Sequence, residues 1–218
     1  MQSAPTSNLS EPPADCPLCP RLVAFRQDNE AAHSDWFNGA VPSFGCKSAG
    51  LLIVGLAPGL KGANRTGRPF FGDHAGELLY RTLLKTGLAR GRHDLEAPSA
   101  LELVDCMITN AVRCVPPQNK PKSDEIAHCR SFLIGRMLAL PNLRTLLAIG
   151  GIAHNSVLDT LKLKKRDHPF AHGARHELPG GLVLFDTYHC SRLNTNTGRL
   201  TTEMFEQVVG AAAASLKA

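Results

Sequence analysis

Leu51-Leu52-Ile53-Val54-Gly55-Leu56-Ala57-Pro58-Gly59 decides how this chain folds. Four apolar residues run without polar alternation into a glycine, the pattern of a strand buried on both faces. Gly55–Gly59 then forms a tight loop. Beyond it, Ala75, Leu78, Leu79 and Leu83 recur at helical spacing, and Gly87 supplies a stop. Leu103–Thr109 reads as a second strand. Ser123 opens a helix with Asp124 and Glu125 in its first turn and Ile126, Cys129, Leu133 and Met137 along one face. Thr145–Gly150 is a third strand, followed by a helix from Ile152 to Leu161. Leu182–Thr187 is the fourth strand. A last helix carries Phe205, Val208, Val209, Ala212 and Leu216 on one side.

Strands alternating with helices predict an α/β fold of three layers, α/β/α, around a central, roughly four-stranded parallel sheet. Residues 15–218 read as one domain. Residues 1–14, with three prolines and several small polar residues, read as a disordered lead-in. In such sheets ligands bind beyond the carboxyl ends of the strands. The loops richest in Gly, Pro, Asn and His, namely Gly55–Arg68, Asn110–Pro117, Gly150–His154 and His189–Arg199, all leave at that edge. Parallel order therefore predicts that they share one cleft.

With 218 residues, 43% apolar and 20% charged, the chain has the composition of an ordinary globular domain. Its net charge of +5 permits a polyanionic partner without requiring one. The longest apolar runs are strand-sized, so no membrane span is expected. The N-terminus shows no charged start followed by an apolar stretch, so no secretory signal is expected and the reducing cytoplasm is the expected compartment. The basic run Lys162–Arg166 reads as a solvated surface loop. Gly55–Lys61 lacks the ending of a nucleotide-hydrolysing P-loop.

Seven cysteines, an odd number without an export signal, favour metal ligation over disulfides. Cys16 and Cys19 have the x-x spacing of a tight turn. Cys114 and Cys129 stand far downstream, with fourteen residues between them. A zinc ribbon would use a second close pair. A wide second spacing, one thiol from a loop and one from a helix face, suits a four-cysteine cubane cluster. Two other readings remain: zinc, or Cys114 and Cys129 as buried apolar residues. Such a cluster would tie the N-terminal segment to the domain and leave Lys120 and Lys122 of the neighbouring loop facing phosphate.

Four blocks occur in order: CPLCPR (Cys16–Arg21), GLAPGLKGANRTGRPFFGDHAG (Gly55–Gly76), TNAVRCVPP (Thr109–Pro117) and HCSRLNTNTGRLT (His189–Thr201). Together they resemble the family 5 (type b) enzymes of the uracil-DNA glycosylase superfamily, and the resemblance runs from Cys16 to the last helix. It implies a monofunctional enzyme that flips a damaged base out of DNA and hydrolyses its N-glycosidic bond. It also implies a 4Fe-4S cluster on Cys16, Cys19, Cys114 and Cys129. The expected partner is DNA containing uracil or other deaminated bases, and the expected state a monomer.

The resemblance distributes roles across the blocks. Gly55, Ala57 and Gly59 would wall the base pocket, and Phe70 would stack on the flipped base. Asn110 would read the base edge through its amide. His189 would donate to the base carbonyl as negative charge develops there. Asp73 would orient water, replacing the aspartate that family 1 enzymes carry where this chain has Ala57. An aspartate at a helix start is also a common N-cap, and the two roles are compatible. Leu193 would wedge into the vacated duplex with Arg192 beside it. Ser191, Arg199, Thr197 and Lys61 would hold phosphates. His172 and His176 are weaker candidates for the cleft wall.

Two departures matter. Cys190 replaces the proline usual after the histidine of the second motif, which loosens that loop and adds an oxidisable thiol. Gly59 stands after Pro58, where narrow uracil enzymes place a bulky or acidic residue, so a broad pocket admitting hypoxanthine is expected. A non-catalytic iron–sulfur protein that binds DNA or senses damage on the same scaffold is the alternative. A member trapped covalently through a histidine is disfavoured, because no basic insertion precedes His189.

Overall fold

A computed structural model describes residues 11–95 and 97–217. In chain order the elements are α1 (Pro20–Ala32), β1 (Phe44–Gly45), β2 (Leu51–Gly55), α2 (Ala63–Thr66), α3 (His74–Lys85), β3 (Ala89–Gly91), β4 (Leu101–Leu103), β5 (Cys106–Asn110), α4 (Ser123–Leu138), β6 (Thr145–Ile149), α5 (Gly151–Thr160), β7 (Arg175–Glu177), β8 (Val183–Thr187), α6 (Arg192–Asn196) and α7 (Thr202–Ala214).

The fold is the expected three-layer α/β/α. Strands β5, β2, β6 and β8 lie side by side and parallel. Every residue of β2 is buried. Leu51 and Ile53 point into a core layer with Leu79 and Leu83 of α3 and Phe205 and Val209 of α7. Leu52 and Val54 point the other way, against Leu133 of α4 and Val157 and Leu158 of α5. Alternating side chains thus feed both helical layers, each fully buried one contributing about 1.5–3 kcal/mol. The register aligns Gly55 with Asn110 and Ile149 with Thr187, so the four strands release their loops at one edge.

The sheet is wider than expected, with six strands. Antiparallel β1 and β7 extend its two edges, and both are too short for a periodic signal. The second expected strand divides in two. Leu101–Leu103 pairs with Ala89–Gly91 in a separate sheet, and only Cys106–Asn110 enters the main one. Asp105 makes the break: its φ is +48°, and its carboxylate accepts the Gly50 amide at 2.6 Å. A left-handed aspartate is a turn residue that no strand continues through.

Of the expected lead-in 1–14, residues 1–10 lie outside the described residues. Glu11–Ala14 belong to the packed body instead. Glu11 forms ion pairs with Arg113 and Arg136, its Oε2 accepts the Ser43 amide at 2.9 Å, and the Ala14 carbonyl accepts the Ala40 amide at 2.8 Å.

Candidate active site

The chain leaves β2 toward β5 and returns across the sheet to β6, so the direction of winding reverses between β2 and β6. Ligand crevices open at such reversals. A cleft of about 440 Å³ lies there, lined by Leu56, Ala57 and Gly59 after β2, by Gly150–Ile152 after β6, and by His189 and Ser191 after β8. Phe70, Asp73 and Asn119 complete its functional wall. Three of the four loops expected to share one cleft do so, whereas Asn110–Pro117 places no residue in its lining.

Phe70 enters the cleft from a strained backbone, with φ of +56° and 6% exposure. Its neighbours hold it there. Tyr80 donates its hydroxyl proton to the Pro69 carbonyl at 2.7 Å. Arg68 lies over the rings of Phe44 and Phe71, 4.0 and 4.9 Å from their centroids, and donates to the Pro98 carbonyl at 2.6 Å. Strain of this kind persists only where the surroundings impose it. Gly55 is a glycine because a Cβ there would overlap both the Phe70 ring edge and Asn110 Oδ1.

Asn110 is buried at the end of β5 and is not among the residues lining the cleft. Its side-chain oxygen has no hydrogen-bond partner. An unsatisfied buried acceptor costs about 1–3 kcal/mol, so this atom is suited to a donor from outside the chain.

Asp73 serves in two ways. It caps α3 by accepting the Gly76 amide proton on Oδ1 at 2.9 Å. Its Oδ2 is turned toward Gly59, where a Cβ would stand 2.8 Å away. The carboxylate also belongs to the cleft wall. Capping consumes one oxygen and leaves the other for chemistry.

His189 faces Phe70 across 6.0 Å between ring centroids, with the planes 27° apart. Burial lowers its pKa below the ordinary imidazole value, opposed in part by Asp73. The ring is therefore neutral near pH 7, with one N–H to donate. Asn194 donates to the His189 carbonyl at 2.8 Å and fixes the residue to α6.

The second loop is firmer than the missing proline implied. Cys190 is fully buried in the core layer beneath α3 and α7, and its Sγ donates to the Ala75 carbonyl at 3.4 Å. Burial raises its pKa. The thiol is an anchor closed to solvent. Ser191 caps α6, and Leu193 projects from that helix with 73% exposure. Arg199 is exposed and lies over the Tyr188 ring at 4.6 Å. The Thr197 hydroxyl donates back to the Leu193 carbonyl at 2.7 Å, so it braces α6. Lys61 and Arg192 line a neighbouring groove of about 460 Å³ that also reaches Asp73 and His74.

His172 and His176 do not line the cleft. His172 stacks on Tyr188 and accepts the Tyr188 amide at 3.3 Å, while His176 bonds Asp186 at 3.0 Å. Two useful residues escaped the sequence reading. Asn119 lines the cleft from a left-handed turn with φ of +56°, after a Gln118 of the same conformation. Pro116 and Pro117 before it and Pro121 after it marked a loop but gave no sign of its direction. His74 Nε2 lies 3.0 Å from Thr195 Oγ1, linking the residue after Asp73 to α6. No local signal reports such a long-range pair.

Away from the cleft, Cys16, Cys19, Cys114 and Cys129 gather in one buried island with Leu22, Val112 and Phe132, and Ala57 and Ile126 pack against it. Burial pushes the thiols of Cys19 and Cys114 up to about 12 and raises that of Cys129. Arg21, next to this segment, makes a bidentate pair with Glu125 of α4 at 2.7 and 2.8 Å. All seven cysteines are free of disulfides. No helix among the described residues is long and apolar enough to cross a membrane.

Comparisons with known proteins give the family. The family model "Uracil DNA glycosylase superfamily" matches residues 42–213. A "Type-5 uracil-DNA glycosylase" of Thermus thermophilus is 44% identical over 200 residues, covering 89% of this chain and 90% of that protein. A type-5 relative from Mycobacterium bovis is 37% identical, covering 88% and 75%, and one from Pyrobaculum aerophilum is 35% identical, covering 92% and 88%. A family match over most of the chain, together with relatives of this likeness, means that the chain belongs to the uracil-DNA glycosylase superfamily, in its type-5 group.

Proposed function

We infer that this protein is a monofunctional uracil-DNA glycosylase that starts base excision repair. The observation that carries the reading is one cleft walled by Phe70, Asp73 and His189, with the orphan acceptor Asn110 Oδ1 closing on Gly55 beside the Phe70 ring. The extruded base stacks on Phe70, and Asn110 accepts its N3–H. As the bond from C1′ to the base nitrogen breaks, its electron pair leaves with the base, and neutral His189 donates a hydrogen bond to the anionic carbonyl. Asp73 offsets positive charge on the sugar and orients the water whose oxygen bonds to C1′. The water proton passes toward the carboxylate. Among the described residues no lysine lines the cleft, so a Schiff base has no donor there and the product is an abasic site without strand cleavage.

Leu193 fills the space the base vacates, while Ser191, Arg192 and Arg199 hold the backbone around it. Gly59 leaves the wall open where a larger side chain would narrow it, which supports acceptance of hypoxanthine as well as uracil. The partner is DNA carrying such bases, and the protein acts as a monomer in the cytoplasm.

The four buried cysteines are proposed as ligands of a 4Fe-4S cluster. Their chemistry fits, since four thiols share one buried island, with His128 Nδ1 3.6 Å from Cys19 Sγ at its edge. The cluster supplies a rigid cross-link between the N-terminal segment, the loop after β5 and α4. Through Ala57, packed on the same island, it supports the cleft wall. Cys114→Ser is expected to lower iron content and stability together.

Duplexes holding one uracil, one hypoxanthine or one thymine mismatch, treated with alkali after incubation, test the function. Alkali-labile sites at uracil support it. DNA binding with no site formed favours the non-catalytic alternative. Fast uracil release with hypoxanthine untouched refutes the broad pocket alone.

A further inference from the structure

We propose that His154, His176 and Asp186 form a binding site for a divalent cation of the zinc class, separate from the cleft and from the cysteine island. Asp186 is fully buried in β8. His154 Nδ1 lies 2.8 Å from its Oδ1, and His176 Nε2 lies 3.0 Å from its Oδ2. The three ligand atoms all fall within 4.8 Å of one another. Two imidazoles and a carboxylate are the donor set that borderline metals such as zinc prefer.

The hydrogen-bond inventory points the same way. His154 Nε2 lies 2.9 Å from the His168 carbonyl oxygen, which only accepts, so Nε2 carries a proton. A neutral imidazole has no second proton, and its Nδ1 then presents a lone pair to a carboxylate oxygen that also only accepts. A proton or a metal ion between the two atoms resolves the conflict. A metal ion satisfies both, and the Nε2–H to backbone carbonyl bond is the outer-shell contact that fixes the tautomer of ligating histidines. The Phe170 ring packs edge-on against His154 at 5.5 Å and screens that side. The His176 side chain, 11% exposed, leaves an approach for the ion.

The site joins α5, β7 and β8. His154 lies three residues beyond Gly151, and Asp186 three before His189. An ion here locks the two strand ends from which the Gly150–Ile152 and His189 loops enter the cleft. It has no route to substrate, so its effect is on stability.

The test compares wild type with His176→Gln and Asp186→Asn in the iron-loaded protein. Each is equilibrated with zinc or with chelator, then bound zinc, iron and thermal midpoint are measured. Wild type is expected to retain stoichiometric zinc and to melt higher with it. Both variants should lose zinc affinity by more than the roughly 10–100-fold that removing an outer-shell partner costs, with iron content and uracil release unchanged. Asp186→Asn keeps the shape of the network if His176→Gln misfolds. Equal zinc uptake by wild type and variants, or wild type that takes up no zinc and shows no change in melting, overturns the proposal and leaves the three side chains as a hydrogen-bonded network.

Discussion

Asp73 Oδ1 accepts the Gly76 amide proton at 2.9 Å, so the carboxylate expected to handle water is also the cap of α3. The two duties separate by substitution. Asp73→Asn keeps a capping oxygen and removes the charge, and is expected to slow base release by about 10²–10⁴-fold with little loss of stability. Asp73→Ala should be as slow and also lose about 1 kcal/mol. Single-turnover rates and urea unfolding distinguish the pair. Full activity in Asp73→Asn would reduce the residue to a cap.

Gly55 leaves room for two side chains at once. Gly55→Ala places a methyl group into the Phe70 ring and Asn110 Oδ1, and should disable base release while the fold persists. Phe70→Ala should weaken base binding by about 1–3 kcal/mol, measured as KM or as affinity for a non-hydrolysable uracil duplex.

Two amides compete for the base edge. Asn110 has the unsatisfied oxygen, and Asn119 lines the cleft. Asn110→Asp should lower uracil release sharply, because the buried carboxylate reshapes the contact to N3–H and O4. Asn119→Ala should act more mildly. The reverse order in single-turnover assays would move base reading to Asn119.

Leu193 acts only where a helix must be opened. Leu193→Ala is expected to slow release from paired DNA about 10-fold or more while leaving single-stranded uracil nearly unaffected, since unstacking costs a few kcal/mol only in the duplex. Equal effects on both substrates would remove the wedge role.

Burial lowers the pKa values of His93, His172 and His189. Below the ordinary imidazole value of 6.5 the unfolded chain takes up protons that the folded chain refuses, so stability falls on acidification and is complete above it. The thermal midpoint should drop between about pH 7 and 5, and less so in His172→Gln. A flat profile in wild type would contradict this.

Much of this protein was legible in local patterns. LLIVG at residues 51–55 reads as a strand buried on both faces because neither face has a polar residue, and that burial requires helices on both sides. Glycine, proline and histidine marked the strand-end loops, and the paired cysteines announced themselves by spacing. Asp105 escaped notice because one left-handed residue, not composition, divides a strand.

What only tertiary structure decided lies in distances between residues remote in sequence. Register set Gly55 beside Asn110 and Ile149 beside Thr187, and so brought four loops to one edge. The packing of Phe70 against Gly55, the turn that aims Asn119 into the cleft, the bond from His74 to Thr195 and the approach of two histidines to Asp186 depend on side chains meeting across the fold. Sequence periodicity reports which face of an element is apolar. It carries no record of what that face, or a polar group at its end, will touch once the layers close.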